Sequence, residues 1–118
     1  MEQNFQMYRI NGGLMPQFHD KNVTLMAKVV SVNPDQQSAV VETTDGHQVD
    51  VQCSDNLYSS TGIWVEIVGH LWAEDQPTIQ EFKFVEFGEK LDTALYNKTV
   101  DLMNGKYSQV FYPARGGE

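Results

Sequence analysis

The sequence predicts a mainly β domain: a small five-stranded barrel followed by a C-terminal helix. Three observations carry this. Five apolar, β-branched stretches of strand length follow one another between residues 23 and 87, separated by turn-forming clusters. The third and fourth are set apart by the longer segment 54–62. The stretch LDTALYNKTVDLMNGKY (91–107) then exchanges the strand period of two for the helical period.

Residues 1–12 read as an N-terminal arm ending in the Gly12–Gly13 bend. LMPQF (14–18) suits a short helical turn with Pro16 near its start. VTLMAKVVSV (23–32) is a long first strand, and NPDQQ (33–37) a turn with Pro34 fixing its backbone. SAVVETT (38–44) is the second strand, and Asp45-Gly46 marks a hairpin into HQVDVQC (47–53). In that third strand Val49 and Val51 share one face, with Gln48, Asp50 and Gln52 on the other. The loop 54–62 has room for one helical turn capped by Asp55. IWVEIVGHL (63–71) and TIQEFKFVEF (78–87) are the fourth and fifth strands, joined by WAEDQP (72–77). The expected organisation is an arm (1–12), a barrel (13–88), a helix (89–107) and a tail (108–118). A break between strands three and four suits a five-stranded OB fold. An SH3-like barrel or a small sandwich fits the same strand count.

Composition narrows the function classes. A chain of 118 residues with 41% apolar residues can bury one core without staples. Cys53 is the single cysteine, so no internal disulfide forms, and a reducing compartment is expected. The opening MEQNFQMYRINGG does not have the basic-then-apolar pattern of a secretory signal, and no membrane span is expected. The net charge is −8. Between Lys28 and Lys83 there are nine carboxylates and no lysine or arginine, so the middle of the chain repels phosphate.

The helix carries more apolar surface than one core needs. Asp92 is a good N-cap, Leu91 and Tyr96 have the spacing of a hydrophobic staple, and Gly105 is a stop. Leu91, Leu95 and Leu102 share one narrow arc, and Tyr96, Val100, Met103 and Tyr107 share a second beside it. Together they cover roughly half the helix, against somewhat over 100° for a helix on a single core. Asn97, Asp101 and Asn104 are expected on the wet side. Such a helix either sinks deeply into the end of its own barrel or serves two surfaces, one its own and one another chain's. The pattern does not choose between these, nor does it say which arc faces which surface.

No catalytic or metal-binding constellation stands out. His19, His47 and His70 are scattered, Glu74 and Asp75 read as a solvated turn, and Ser59, Ser60 and Thr61 form no nucleophile elbow. Cys53 reads as a small buried apolar residue. No enzymatic activity, cofactor or metal is expected. Single-stranded nucleic acid binds OB folds by stacking on aromatics above a basic groove. Strands two and three contain neither bases nor aromatics but do contain Glu42 and Asp50. Weak DNA contact is left to Trp72, Lys28 and Lys83.

Two segments resemble a known family. RINGGLMPQFHDKNVTLMAKVVSV (9–32) resembles the start of the smallest subunit of replication protein A: Arg-Ile-Asn, a short segment ending in Phe, then Asp-Lys-x-Val into strand one. LDTALYNKTVDLM (91–103), with its Asp-x-x-Leu-Tyr-Asn core, and FYP (111–113) resemble its end. Ala27 departs from the glycine often found in that family's first strand. The resemblance covers nearly all of residues 9–113, with its specific motifs at the two ends. It implies one OB fold whose C-terminal helix joins those of a large and a middle subunit in a three-helix bundle, making a nuclear heterotrimer. That complex binds single-stranded DNA, mainly through the partners, in replication, repair and recombination. A telomeric complex of the same architecture, or one sharing this subunit, is the alternative, and a stand-alone nucleic-acid-binding module is a second class. The interface residues it implies are Leu91, Leu95, Tyr96, Thr99, Val100, Leu102 and Met103.

Overall fold

The computed structural model describes residues 7–106 and 108–112. Its chain runs β1 (Tyr8–Ile10), a 3-10 helix (Gly12–Phe18), β2 (Lys21–Asn33), a 3-10 turn (Pro34–Gln36), β3 (Ser38–Thr43), β4 (Gln48–Gln52), β5 (Trp64–Trp72), β6 (Thr78–Gly88), α1 (Thr93–Asn104) and α2 (Ser108–Phe111). Five of the strands close on themselves. β2 pairs with β3, β3 with β4, β4 with β6, β6 with β5, and β5 again with β2. Only the β4–β6 pair in this ring is parallel. That closure, with its crossover, is an OB barrel. The five expected strands match β2 to β6 with ends shifted by one or two residues.

Alternation explains the strands. Val41, Val49, Val51, Val65, Ile67, Gly69, Leu71 and Ile79 are buried, and on β4 and β5 the residues that alternate with them are more exposed. β2 serves two sets of neighbours. Its first half pairs with β1 and β5, and its second half with β3. The register slips between Val29 and Ser31, where Val30 is extruded, which bends the strand around the barrel. Ala27 is fully buried in regular pairing, so the irregularity lies beyond it. At Gly69 a Cβ would lie 2.4 Å from the Gln80 carbonyl oxygen, so glycine lets β5 and β6 approach at their own bulge.

Two expectations are corrected. The arm expected over 1–12 holds a strand: Tyr8–Ile10 adds to β2 in parallel, and Ile10 is fully buried. (Residues 1–6 of that arm lie outside the described residues.) The loop 54–62 forms no helical turn. Its order comes from side chains. Tyr58 packs edge-on to Phe84 at 4.7 Å. Ser54 donates through its hydroxyl to the buried carboxylate of Glu81 at 2.8 Å. Leu57 and Tyr58 fill space against the core without a helix.

Candidate functional site

α1 begins where the sequence places it. The Leu95 amide donates to the Asp92 carboxylate at 3.0 Å, and Leu91 and Tyr96 line one depression at its start. The helix then lies along β1 and the β3–β4 hairpin, held by polar groups. The Tyr96 hydroxyl donates to the Ile10 carbonyl at 3.1 Å. Asn97 accepts from the Asn11 side chain at 2.9 Å and donates to the Thr44 carbonyl at 3.2 Å. Asn104 donates to the Arg9 carbonyl at 2.7 Å, and Tyr112 accepts from the Arg9 amide at 2.8 Å. Val100, fully buried, sits between Asn97 and Asn104 on the same face.

The opening Arg9-Ile10-Asn11 is therefore bonded residue by residue to the closing segment, 86 to 103 positions later. Asp45 props this seam from below. Its carboxylate accepts from the Gly12 and Gly13 amides at 2.8 and 2.9 Å and from the Thr43 hydroxyl at 2.6 Å. Partial burial pushes its pKa up, but those hydrogen bonds outweigh burial, and the carboxyl ends below its ordinary range. Gly12 has no room for a side chain, since a Cβ would lie 2.3 Å from the His47 ring.

Asn97 and Asn104, expected on the wet side, face the barrel, while Asp101 is exposed as expected. An amide is polar by any scale, yet each finds backbone partners at the sheet margin that offset its burial. The two apolar arcs are thereby told apart. Tyr96 and Val100 turn toward the barrel, Met103 is half-buried, and Val100 has no surface left for another chain. Tyr107 lies outside the described residues. Leu95 and Leu102 point away, 61% and 48% exposed, with Thr99 exposed between them and Leu91 half-buried at the helix start. Val110 and Phe111 of α2 are also exposed.

At the N-terminal end of this stripe a depression of about 290 Å³ is lined by Arg9, Leu91, Asp92, Leu95, Tyr96 and Thr99. Arg9, one of its lining residues, pairs with Glu66 of β5 at 2.8 Å and lies 5.8 Å from the Tyr96 ring centre. Burial opposes the guanidinium charge, but Tyr96 and Glu66 overcome it and hold the arginine charged.

The expected DNA contacts are not brought together. Lys28 and Trp72 lie eight residues apart in the β2–β5 register, roughly 26 Å at strand rise. Lys28 lies over the Trp64 ring at 5.4 Å, and Trp72 packs against His70 at 4.7 Å. Lys83 is exposed on β6. The usual OB ligand face, over β3, β4 and the 33–37 turn, has a cleft of about 360 Å³. Ser31, Asn33, Gln36, Asp50, Gln52 and Thr78 line it, with no base and no aromatic ring. Cys53 is buried, and burial together with the Glu81 charge pushes its thiol pKa up. Among the described residues no group of three or more His, Cys, Asp or Glu side chains is placed to hold a metal ion. No described helix is long and apolar enough to cross a membrane.

The seam joining the two ends of the chain spans nearly its whole length, and a family model matches over the same extent. The model described as replication factor A protein 3 matches residues 1–111. The chain belongs to the family of the smallest subunit of replication protein A. It is similar to a 14 kDa replication protein A subunit of Arabidopsis thaliana, with 28% identity over 102 residues, covering 86% of this chain and 91% of that protein. It also superposes on a chain of the U. maydis replication protein A structure bound to single-stranded DNA. There the TM-score is 0.79 at 20% identity, covering 93% of this chain and 99% of the other. That likeness bears on the fold.

Sequence reasoning missed the asparagines, Asp45 and Tyr112 as the groups that orient the helix. One signal was present: Asn97 and Asn104 are seven residues apart, two turns, and flank Val100 on its own face.

Proposed function

We propose that this protein is a non-catalytic assembly subunit of a heterotrimeric single-stranded-DNA-binding complex of the replication protein A type, working in the nucleus in replication, repair and recombination. Its partners are the large and middle OB-fold subunits, joined through a bundle of one helix from each chain. DNA contact belongs mainly to those partners. One observation carries the reading: Leu95 and Leu102 stand exposed on a helix whose opposite face is fixed to its own barrel. The base-free cleft with Asp50 in its lining supports the division of labour.

The test replaces Leu95 and Leu102 together by Asp and co-expresses the variant with the two partner subunits. The isolated variant should unfold at the same midpoint as the parent, and co-purification of the partners should be lost. Normal assembly of the double variant would refute the reading. Mass spectrometry of the native complex identifies whether the partners are the general or a telomeric set.

A further inference from the structure

We propose that the outer face of β6 beside the helix, centred on Val85 and Phe87, is a second docking surface continuous with the leucine stripe. One apolar-faced helix of a partner subunit lies in the angle between them. This rests on the assembly reading above and adds a surface to it.

Val85 and Phe87 are 52% and 51% exposed on β6; Val30, Trp72 and Phe82 are exposed apolar side chains of the barrel too, but Val85 and Phe87 are the two tied to the stripe. They are tied to the stripe in two ways. Arg9, which lines the depression together with Leu91 and Leu95, pairs with Glu66, and Glu66 is the direct cross-strand partner of Val85. Directly opposed residues share one face of the sheet. The stems of Arg9 and Glu66 thus bridge the helix groove to Val85, with their charges neutralising one another. Along the chain, Gly88, Glu89 and Lys90 alone separate Phe87 from Leu91, which limits the two to at most ~14 Å.

Area supplies the reason for a partner there. The 12 residues of α1 make a strip about 18 Å long and about 10 Å wide, on the order of 200 Å². A stable complex buries about 800 Å² on each partner. The outward stripe falls well short, and a helix laid against it can gain more by also covering the neighbouring sheet face. The depression of about 290 Å³ marks where such a helix would seat a side chain.

The experiment uses the co-expressed heterotrimer. Val85→Glu with Phe87→Glu should weaken partner association by about tenfold or more while the isolated chain keeps the parent's unfolding midpoint. If association is unchanged while the Leu95/Leu102 variant abolishes it, this inference fails and the assembly reading stands. If neither variant changes association, both fail. Hydroxyl-radical labelling of the unaltered protein covers the case of a misfolded variant: Phe87 should label in the isolated chain and be protected in the heterotrimer. Equal labelling in both overturns the inference. So does a dimer of the isolated chain that these β6 changes convert to monomer, since the occupant would then be a second copy.

Discussion

The two faces of α1 reverse the usual division between a helix's inside and outside. Its inward face carries Asn97 and Asn104, bonded to Asn11, Thr44 and Arg9, with Val100 as its fully buried apolar residue. Its outward face carries Leu95 and Leu102, both largely in solvent. Apolar contact is non-directional, so a greasy helix on a greasy barrel can slide or rotate. Amides aimed at particular carbonyls cannot be satisfied after a shift of one turn. The polar face therefore fixes the helix's rotation. That fixed rotation is what keeps the leucines together and pointing out.

Changes that treat the two faces alike test this most severely. Val100→Asp should have the largest effect, because an unpaired carboxylate would replace a fully buried side chain, destabilising the isolated chain by about 3 kcal/mol or more. Leu102→Asp, on the same helix, should change stability by no more than about 0.5 kcal/mol. Urea unfolding of the two variants reads the contrast directly, and equal losses would mean that the faces are not distinct. Asn97→Leu comes next. It removes the partner of the Asn11 amide and of the Thr44 carbonyl, and should cost about 2 kcal/mol although it makes the helix more apolar. If Asn97→Leu stabilises the chain, the amide is not orienting the helix.

The difference between the faces also marks the limit of what the sequence discloses. Strands β2 to β6 were legible because alternating β-branched residues report burial directly, and Asp92 because a cap is a local interaction. β1 was not, because three residues are too few to show a period and its pairing partner lies 15 positions away. The inward role of Asn97 was not legible either. Polarity assigns an amide to water unless its partners are known, and they lie 53 and 86 residues off. The doubled apolar width of the helix was visible, but which arc belonged to the barrel depended on those same amides. Nor does the sequence disclose how Lys28 and Trp72 lie relative to each other, since the strand register alone places them far apart.

The smallest effect concerns Asp45, which supports the inward face without touching the helix. Its carboxylate holds the Gly12 and Gly13 amides next to Asn11, and its hairpin presents Thr44 to Asn97. Its pKa in the folded chain is lowered from an ordinary 3.8, so the charged form is the one that folding favours. The stabilisation is then fully present above the unfolded value and is lost as pH falls through the folded one. Asp45→Asn should lower stability modestly at neutral pH, because the group is partly solvated and its interactions are screened. The difference between parent and variant should stay constant down to about pH 4 and shrink below it, as the parent's carboxyl is itself neutralised. Unfolding free energies measured across that range give the curve. A difference that grows in acid would mean that Asp45 is held protonated instead, and that the seam under Asn11 is built on a neutral hydrogen bond. Partner assembly at neutral pH should be unaffected, since the leucine face is unchanged.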